Sequence, residues 1–132
     1  MSKVAKKVTI AAPVQKVWTA LTSPKAIEAW MGGPVRVSLK VGGKYAFFGG
    51  ETTGEFIRIE KPNTLEYTWR QAGWPSEWAA SRVHWELNPT RKGTQVRLTH
   101  DKFPNTEERD SHDEGWDAYW LKPMKEWLEG NV

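Results

Sequence analysis

The chain of 132 residues contains no cysteine. That excludes disulfides, thiol nucleophiles and cysteine-ligated zinc, and it fits a reducing compartment. Histidine is scarce: His84, His100 and His112 are the three present, and their separation has no ligand spacing, so no metal is expected. No apolar run reaches the length of a membrane span, and the opening MSKVAKKVTI has no apolar signal region. Charge of one sign is not concentrated anywhere: 19 Lys and Arg are interspersed with 16 Asp and Glu, for a net +3. A nucleic-acid footprint needs a denser basic stripe than this. No G-x-S-x-G, P-loop, H-E-x-x-H or dinucleotide fingerprint occurs. These absences lead us to expect a soluble, cytoplasmic protein, one domain over 1–132, with no cofactor, nucleic acid or membrane span.

What the chain has instead is tryptophan, nine of them. The stretch His112 to Leu128, HDEGWDAYWLKPMKEWL, places Trp116, Tyr119, Trp120, Met124, Trp127 and Leu128 on one face at helical spacing. Three indoles and a phenol would bury roughly 600–1000 Å², so the rest of the chain must supply a facing surface. Pro123 lies inside this pattern, where it removes a hydrogen bond and crowds the preceding turn; a kinked helix is expected there. Ser111 to Glu114 matches the S-x-x-E capping box. Traced N-terminally, the apolar face leads to a polar end at His112 and Asp113 beside Gly115, which has no side chain.

Upstream the periodicity is mixed. Residues 3–11 read as a strand, and Pro13 and Ser23-Pro24 then open two short helices with apolar sides at Val14, Val17, Trp18, Leu21 and at Ile27, Trp30, Met31. From Val35 the period becomes two, broken by Gly, Pro and Asn turns, as in an antiparallel meander. One face collects Val37, Leu39, Tyr45, Phe47, Ile57, Ile59, Leu65, Tyr67, Trp69, Val83, Trp85, Leu87, Val96 and Leu98. The other carries Arg36, Arg58, Glu66, Arg70, Arg82, His84, Glu86 and Arg97, a mixed-charge solvated side. A sheet apolar on one side needs a cover, and the last helix is the cover available. The architecture is α+β, with the sheet curling around that helix.

The segments IAAPVQKVWTALTSPKAIEAW, VGGKYAFF, TLEYTWR, RVHWELNP, GTQVRLTHDKF and HDEGWDAYWLKPMKEWL, in that order, resemble the START-like (SRPBCC) superfamily. Within it the chain is most similar to the branch of activators of heat shock protein 90 ATPase homologues, the Aha type. The resemblance implies the helix-grip fold: a seven-stranded curved antiparallel sheet, two short helices after strand 1, and a long C-terminal helix in the concave face. It also implies a cavity between sheet and helix that takes apolar or amphipathic small molecules. The resemblance to the eukaryotic activators is to one of their domains only, and in 132 residues no counterpart of the further N-terminal domain that engages their chaperone is expected.

Candidate ligand-binding residues are Trp30, Tyr45, Phe47, Tyr67, Trp69, Trp85, His112, Trp116 and Trp120. Their rings either line an open cavity or fill the core outright. Buried Tyr OH and Trp NH groups need partners, and a polar ligand group could be one. His112 either faces such a ligand or belongs to a solvated helix start; Asp113, the next residue, points about 100° away on a helix. No catalytic residue set emerges. The first functional expectation is therefore a binding protein for a small hydrophobic ligand, as a monomer or homodimer. The alternatives are an Aha-type, stress-related interaction protein with a chaperone partner, and a cyclase- or hydrolase-like enzyme using the same cavity.

Overall fold

The computed structural model describes residues 3–130. Strand β1 (Val4–Ile10) is followed by helices α1 (Val14–Thr22) and α2 (Pro24–Met31). Six further strands follow: β2 (Arg36–Val37), β3 (Lys44–Phe47), β4 (Thr52–Glu60), β5 (Thr64–Gln71), β6 (Ser81–Thr90) and β7 (Gly93–Asp101). The chain ends in α3 (Thr106–Gly115), a π-helical segment (Trp116–Leu121) and α4 (Lys122–Gly130), which run on as one C-terminal helix. All seven strands form one antiparallel sheet in the order β1-β7-β6-β5-β4-β3-β2. The curved sheet holds the C-terminal helix in its concave face, the helix-grip arrangement.

Alternation places most of the core correctly. Tyr45, Phe47, Leu65, Tyr67, Trp69, Val83, Trp85, Leu87, Val96 and Leu98 are buried against Trp116, Trp120, Met124 and Leu128. Three positions depart from it. In β4 the register shifts between Phe56, opposite Tyr67, and Arg58, opposite Glu66, so Ile57 is the extra residue of a bulge. One inserted residue reverses the parity before it, and Phe56 rather than Ile57 is buried in the core. Leu39 is not on the inner face but exposed, because β2 ends at Val37. Tyr119, placed on the buried stripe by its spacing, is two-thirds exposed, at 66%.

The helix explains Tyr119. Lys122 N–H bonds to Asp117 O, five residues back, inside the π segment immediately before Pro123. Proline has no N–H to give and its ring crowds the carbonyl four residues earlier; a π turn admits one extra residue there and relieves both. The insertion rotates the stripe, turning Tyr119 out and burying Leu121. The helix also begins earlier than the S-x-x-E signal indicates. Asn105 is the N-cap, its side chain accepting from Glu108 N at 2.8 Å, with Glu107 and Glu108 in the first turn. Ser111 to Glu114 is therefore helix interior, not a capping box.

Side chains tie this helix across the edge strand. Lys6 pairs with Asp113 at 2.9 Å and Asp117 at 2.8 Å. Burial opposes the Lys6 charge, but hydrogen bonds and attraction from Asp117 and Asp113 outweigh it and raise its pKa. Arg109 donates to Lys3 O, Lys125 donates to Thr9 O, and Glu129 accepts from Ala11 N. These bonds occupy backbone groups along β1, which would otherwise be an open sheet edge.

Tyr45 crosses β4 where Gly54 offers no side chain, and its hydroxyl donates to Thr68 O while Thr68 Oγ1 accepts from Glu55 N. A Cβ on Gly54 would stand 2.0 Å from Thr68 O and 2.6 Å from the Tyr45 ring. Gly54→Ala should therefore destabilise the fold by about 2–3 kcal/mol, read from the midpoint of urea unfolding; an unchanged midpoint would show that the crossing yields freely.

Candidate functional site

Between the sheet and the junction of α3 with the π segment lies an open cleft of about 390 Å³. The sheet side contributes Phe48, Glu51, Thr52, Trp69 and Gln71; the helix contributes Ser111, His112, Gly115, Trp116, Tyr119 and Trp120. Four of the nine residues expected from sequence are thus brought together: Trp69, His112, Trp116 and Trp120. The other five do not line the cleft. Trp30 donates to Ala20 O at 2.8 Å and packs edge-on against Trp120. Tyr45 packs on Phe47 with ring centres 4.6 Å apart and on Tyr67 at 4.9 Å. Trp85 donates to the Tyr67 hydroxyl at 2.9 Å. These rings fill the grip, and the space is left at its rim.

Local irregularities keep the rim open. The turn after β3, Phe48–Gly50, has positive φ at all three residues, including Phe48 at 53°. An aromatic side chain in the left-handed region costs on the order of 1–2 kcal/mol, and here it sets the Phe48 ring at the mouth, 36% exposed. Gly115 is helical, and a Cβ there would meet nothing nearer than Tyr119 at 3.9 Å. A wider groove of about 630 Å³ lies between β1 and the helix, walled by Lys6, Lys7, Asp117, Lys122 and Glu126 among others. Its walls are charged and partly ion-paired with one another, so it lacks the enclosed aromatic surface of the smaller cleft.

The cleft wall is wired into the core by a directional chain of hydrogen bonds. Trp116 Nε1 donates to His100 Nδ1 at 3.0 Å, which makes Nε2 of His100 the protonated nitrogen; it meets Ser81 Oγ at 2.7 Å. Ser81 Oγ in turn donates to Trp69 O, and Trp69 Nε1 donates to His112 Nε2 at 3.1 Å. His112 Nδ1 then donates to Glu108 O at 2.7 Å. An indole can only donate, so both imidazoles are held neutral in opposite tautomers. With both nitrogens engaged, His112 is a structural part of the wall, and Asp113 is turned away to Lys6.

His100, fully buried, was not among the expected site residues. Its signal was present, since it continues the inward alternation of Val96 and Leu98. Trp74 and the loop around it were also unassigned: Trp74 Nε1 donates to Glu108 Oε1 at 2.8 Å, and Arg70 donates to the carbonyls of Trp74, Pro75 and Trp78. Arg70 is thus a loop anchor and not simply part of a solvated face. Among the described residues no cluster of three metal-ligating side chains occurs.

Burial depresses the His100 pKa from 6.5 to about 2. The unfolded chain takes up this proton below pH 6.5 and the folded one does not, so stability falls as pH drops from 6.5 toward 2. Between pH 6.5 and 5 the loss from this residue should be about 2 kcal/mol. Urea unfolding at the two pH values, compared with His100→Gln, checks it; equal slopes in both proteins would contradict it.

Comparison with known proteins gives the same fold and a family. An HSP90 activator from Plasmodium falciparum superposes with a TM-score of 0.85 at 26% identity, over 97% of this chain and 96% of that one. An uncharacterized protein of Schizosaccharomyces pombe is 24% identical over 117 residues, and the mouse activator of 90 kDa heat shock protein ATPase homolog 1 is 22% identical over 124. Those matches take in 89% and 94% of this chain but 34% and 36% of the relatives, so the chain spans about a third of their length. The family model of the Activator of Hsp90 ATPase homolog 1-like protein matches residues 11–129, and the chain belongs to that family.

Proposed function

We propose that the domain binds a small apolar or aromatic molecule in the rim cleft, without covalent chemistry. The observation that carries this reading is the cleft itself: about 390 Å³ bounded by Phe48, Trp69, Trp116, Tyr119 and Trp120, above the usual lower limit of roughly 300 Å³ for ligand sites. Of the rings that bound it, Phe48 and Tyr119 are exposed, while Trp69, Trp116 and Trp120 form a buried floor shared with the core. Released water and ring contacts would supply the affinity, and the polar groups at the mouth, Ser111 and Gln71, would orient the ligand.

A second reading is an Aha-type contact with a chaperone through the outer surface. It is favoured by the Plasmodium protein, which is called an HSP90 activator and is matched over nearly its whole chain. The two readings separate by mutation. The neutral dye N-phenyl-1-naphthylamine should fluoresce on binding and accept energy from the tryptophans of the cleft. Gly115→Leu, a substitution that suits a helix and builds toward the cleft, should weaken that binding by tenfold or more while leaving the melting temperature the same or higher. Unchanged dye binding would defeat the cleft reading. Stimulation of a chaperone ATPase that survives Gly115→Leu would support the second.

A further inference from the structure

The indoles around the grip differ in what their N–H groups do. Those of Trp30, Trp69, Trp74, Trp85 and Trp116 each donate to a protein acceptor. Trp120 is 3% exposed and touches Trp30, Phe47, Trp69, Trp85 and Trp116 through its rings, yet its Nε1 has no acceptor among the described residues. No fully enclosed side-chain nitrogen or oxygen among them lacks a partner. The Trp120 N–H is therefore not sealed in the core, and Trp120 is one of the residues that line the cleft. Trp18, 2% exposed and away from the cleft, likewise has no indole acceptor among the described residues, so it is the position of Trp120 at the cleft wall that makes its donor available to a ligand.

The charges at the wall narrow the choice further. No Lys or Arg lines the cleft, and His112 is neutral because its Nε2 accepts from Trp69. Glu51 is the one formal charge on the lining, with no ion pair among the described residues. An anionic ligand would sit near that carboxylate with no cation to offset it. Building on the cleft reading above, we infer that its ligand is a flat, uncharged aromatic molecule that turns a carbonyl-type acceptor to Nε1 of Trp120.

Three naphthalenes of one shape test this. 2-Acetylnaphthalene carries the acceptor, 2-isopropenylnaphthalene replaces its C=O by C=CH₂, and 2-naphthoate adds the negative charge. Calorimetry on the wild-type chain should show the acetyl compound binding about tenfold tighter than the isopropenyl one, and naphthoate several-fold weaker than the acetyl compound, with that gap closing in Glu51→Gln. In ¹H–¹⁵N spectra the Trp120 indole N–H should move downfield with the acetyl compound alone. This readout uses the unmutated protein, so it does not depend on Trp120→Phe folding. Equal binding of the acetyl and isopropenyl compounds, a shift at a different indole, or naphthoate binding as tightly as the ketone would overturn the inference and leave the cleft reading standing. If none of the three binds, both fall.

Discussion

Five of the seven buried indoles donate their N–H to a protein acceptor, and those bonds constrain how the rings pack. Hydrophobic area alone would allow the rings to pack in several arrangements; the N–H groups remove most of that freedom. Trp116 requires an acceptor from the sheet, and His100 supplies it only as the Nδ1-unprotonated tautomer, which Ser81 then fixes from the other side. Trp69 requires an acceptor from the helix, and His112 supplies it only as the opposite tautomer, fixed by Glu108 O. Sheet and helix are thus locked in one relative position by two reciprocal donor–acceptor pairs of unlike hand. An apolar contact of the same area would permit sliding.

That lock constrains the helix more than its own propensity does. The helix must present Trp116 to His100 on one side of the π segment, and Met124 and Leu128 to the sheet and small helices on the other. A regular α-helix holding Pro123 would crowd the Tyr119 carbonyl. The π segment resolves both demands with one added residue, and the displaced Tyr119 ends at the cleft mouth. The same conflict between a proline and a fixed stripe therefore produces part of the site. Segments of this kind are common at functional positions for that reason.

Element types and order were legible in the sequence because long periodic runs are strong signals: β5, β6 and β7 alternate without a fault, and the Trp/Met stripe survives Pro123. What was not legible came from single-residue events. The bulge at Ile57 exchanges Phe56 for Ile57, and nothing in TTGEFIRIE marks where the extra residue falls. Tyr119 obeys the helical period and still leaves the core, since the π turn changes the period locally. The S-x-x-E motif competed with a better cap at Asn105, whose Glu108 partner is three residues on. Of the nine residues expected at a ligand site, four line the cleft and five fill the core, a division that ring chemistry alone does not give. Tyr67 and Trp85 look like Trp69 in sequence, and only the three-dimensional count of neighbours separates core from wall.

The division has a physical cause that unites the irregular features. Trp30, Trp69, Trp85, Trp116 and Trp120 crowd the grip, and the cleft left at its rim coincides with local irregularities. Three departures meet at one place: the left-handed turn at Phe48, the missing Cβ of Gly115 and the π segment that follows it. Two of them cost stability locally, on the order of 1 kcal/mol for the glycine and 1–2 kcal/mol for the turn. Packing alone would favour alanine at 115 and glycine at 48, whereas the π segment accommodates Pro123. Other departures lie away from the cleft, at the Ile57 bulge and at Lys102 with φ 62°, but these three adjoin it. Trp120, whose indole N–H has no acceptor among the described residues, lines that same cleft.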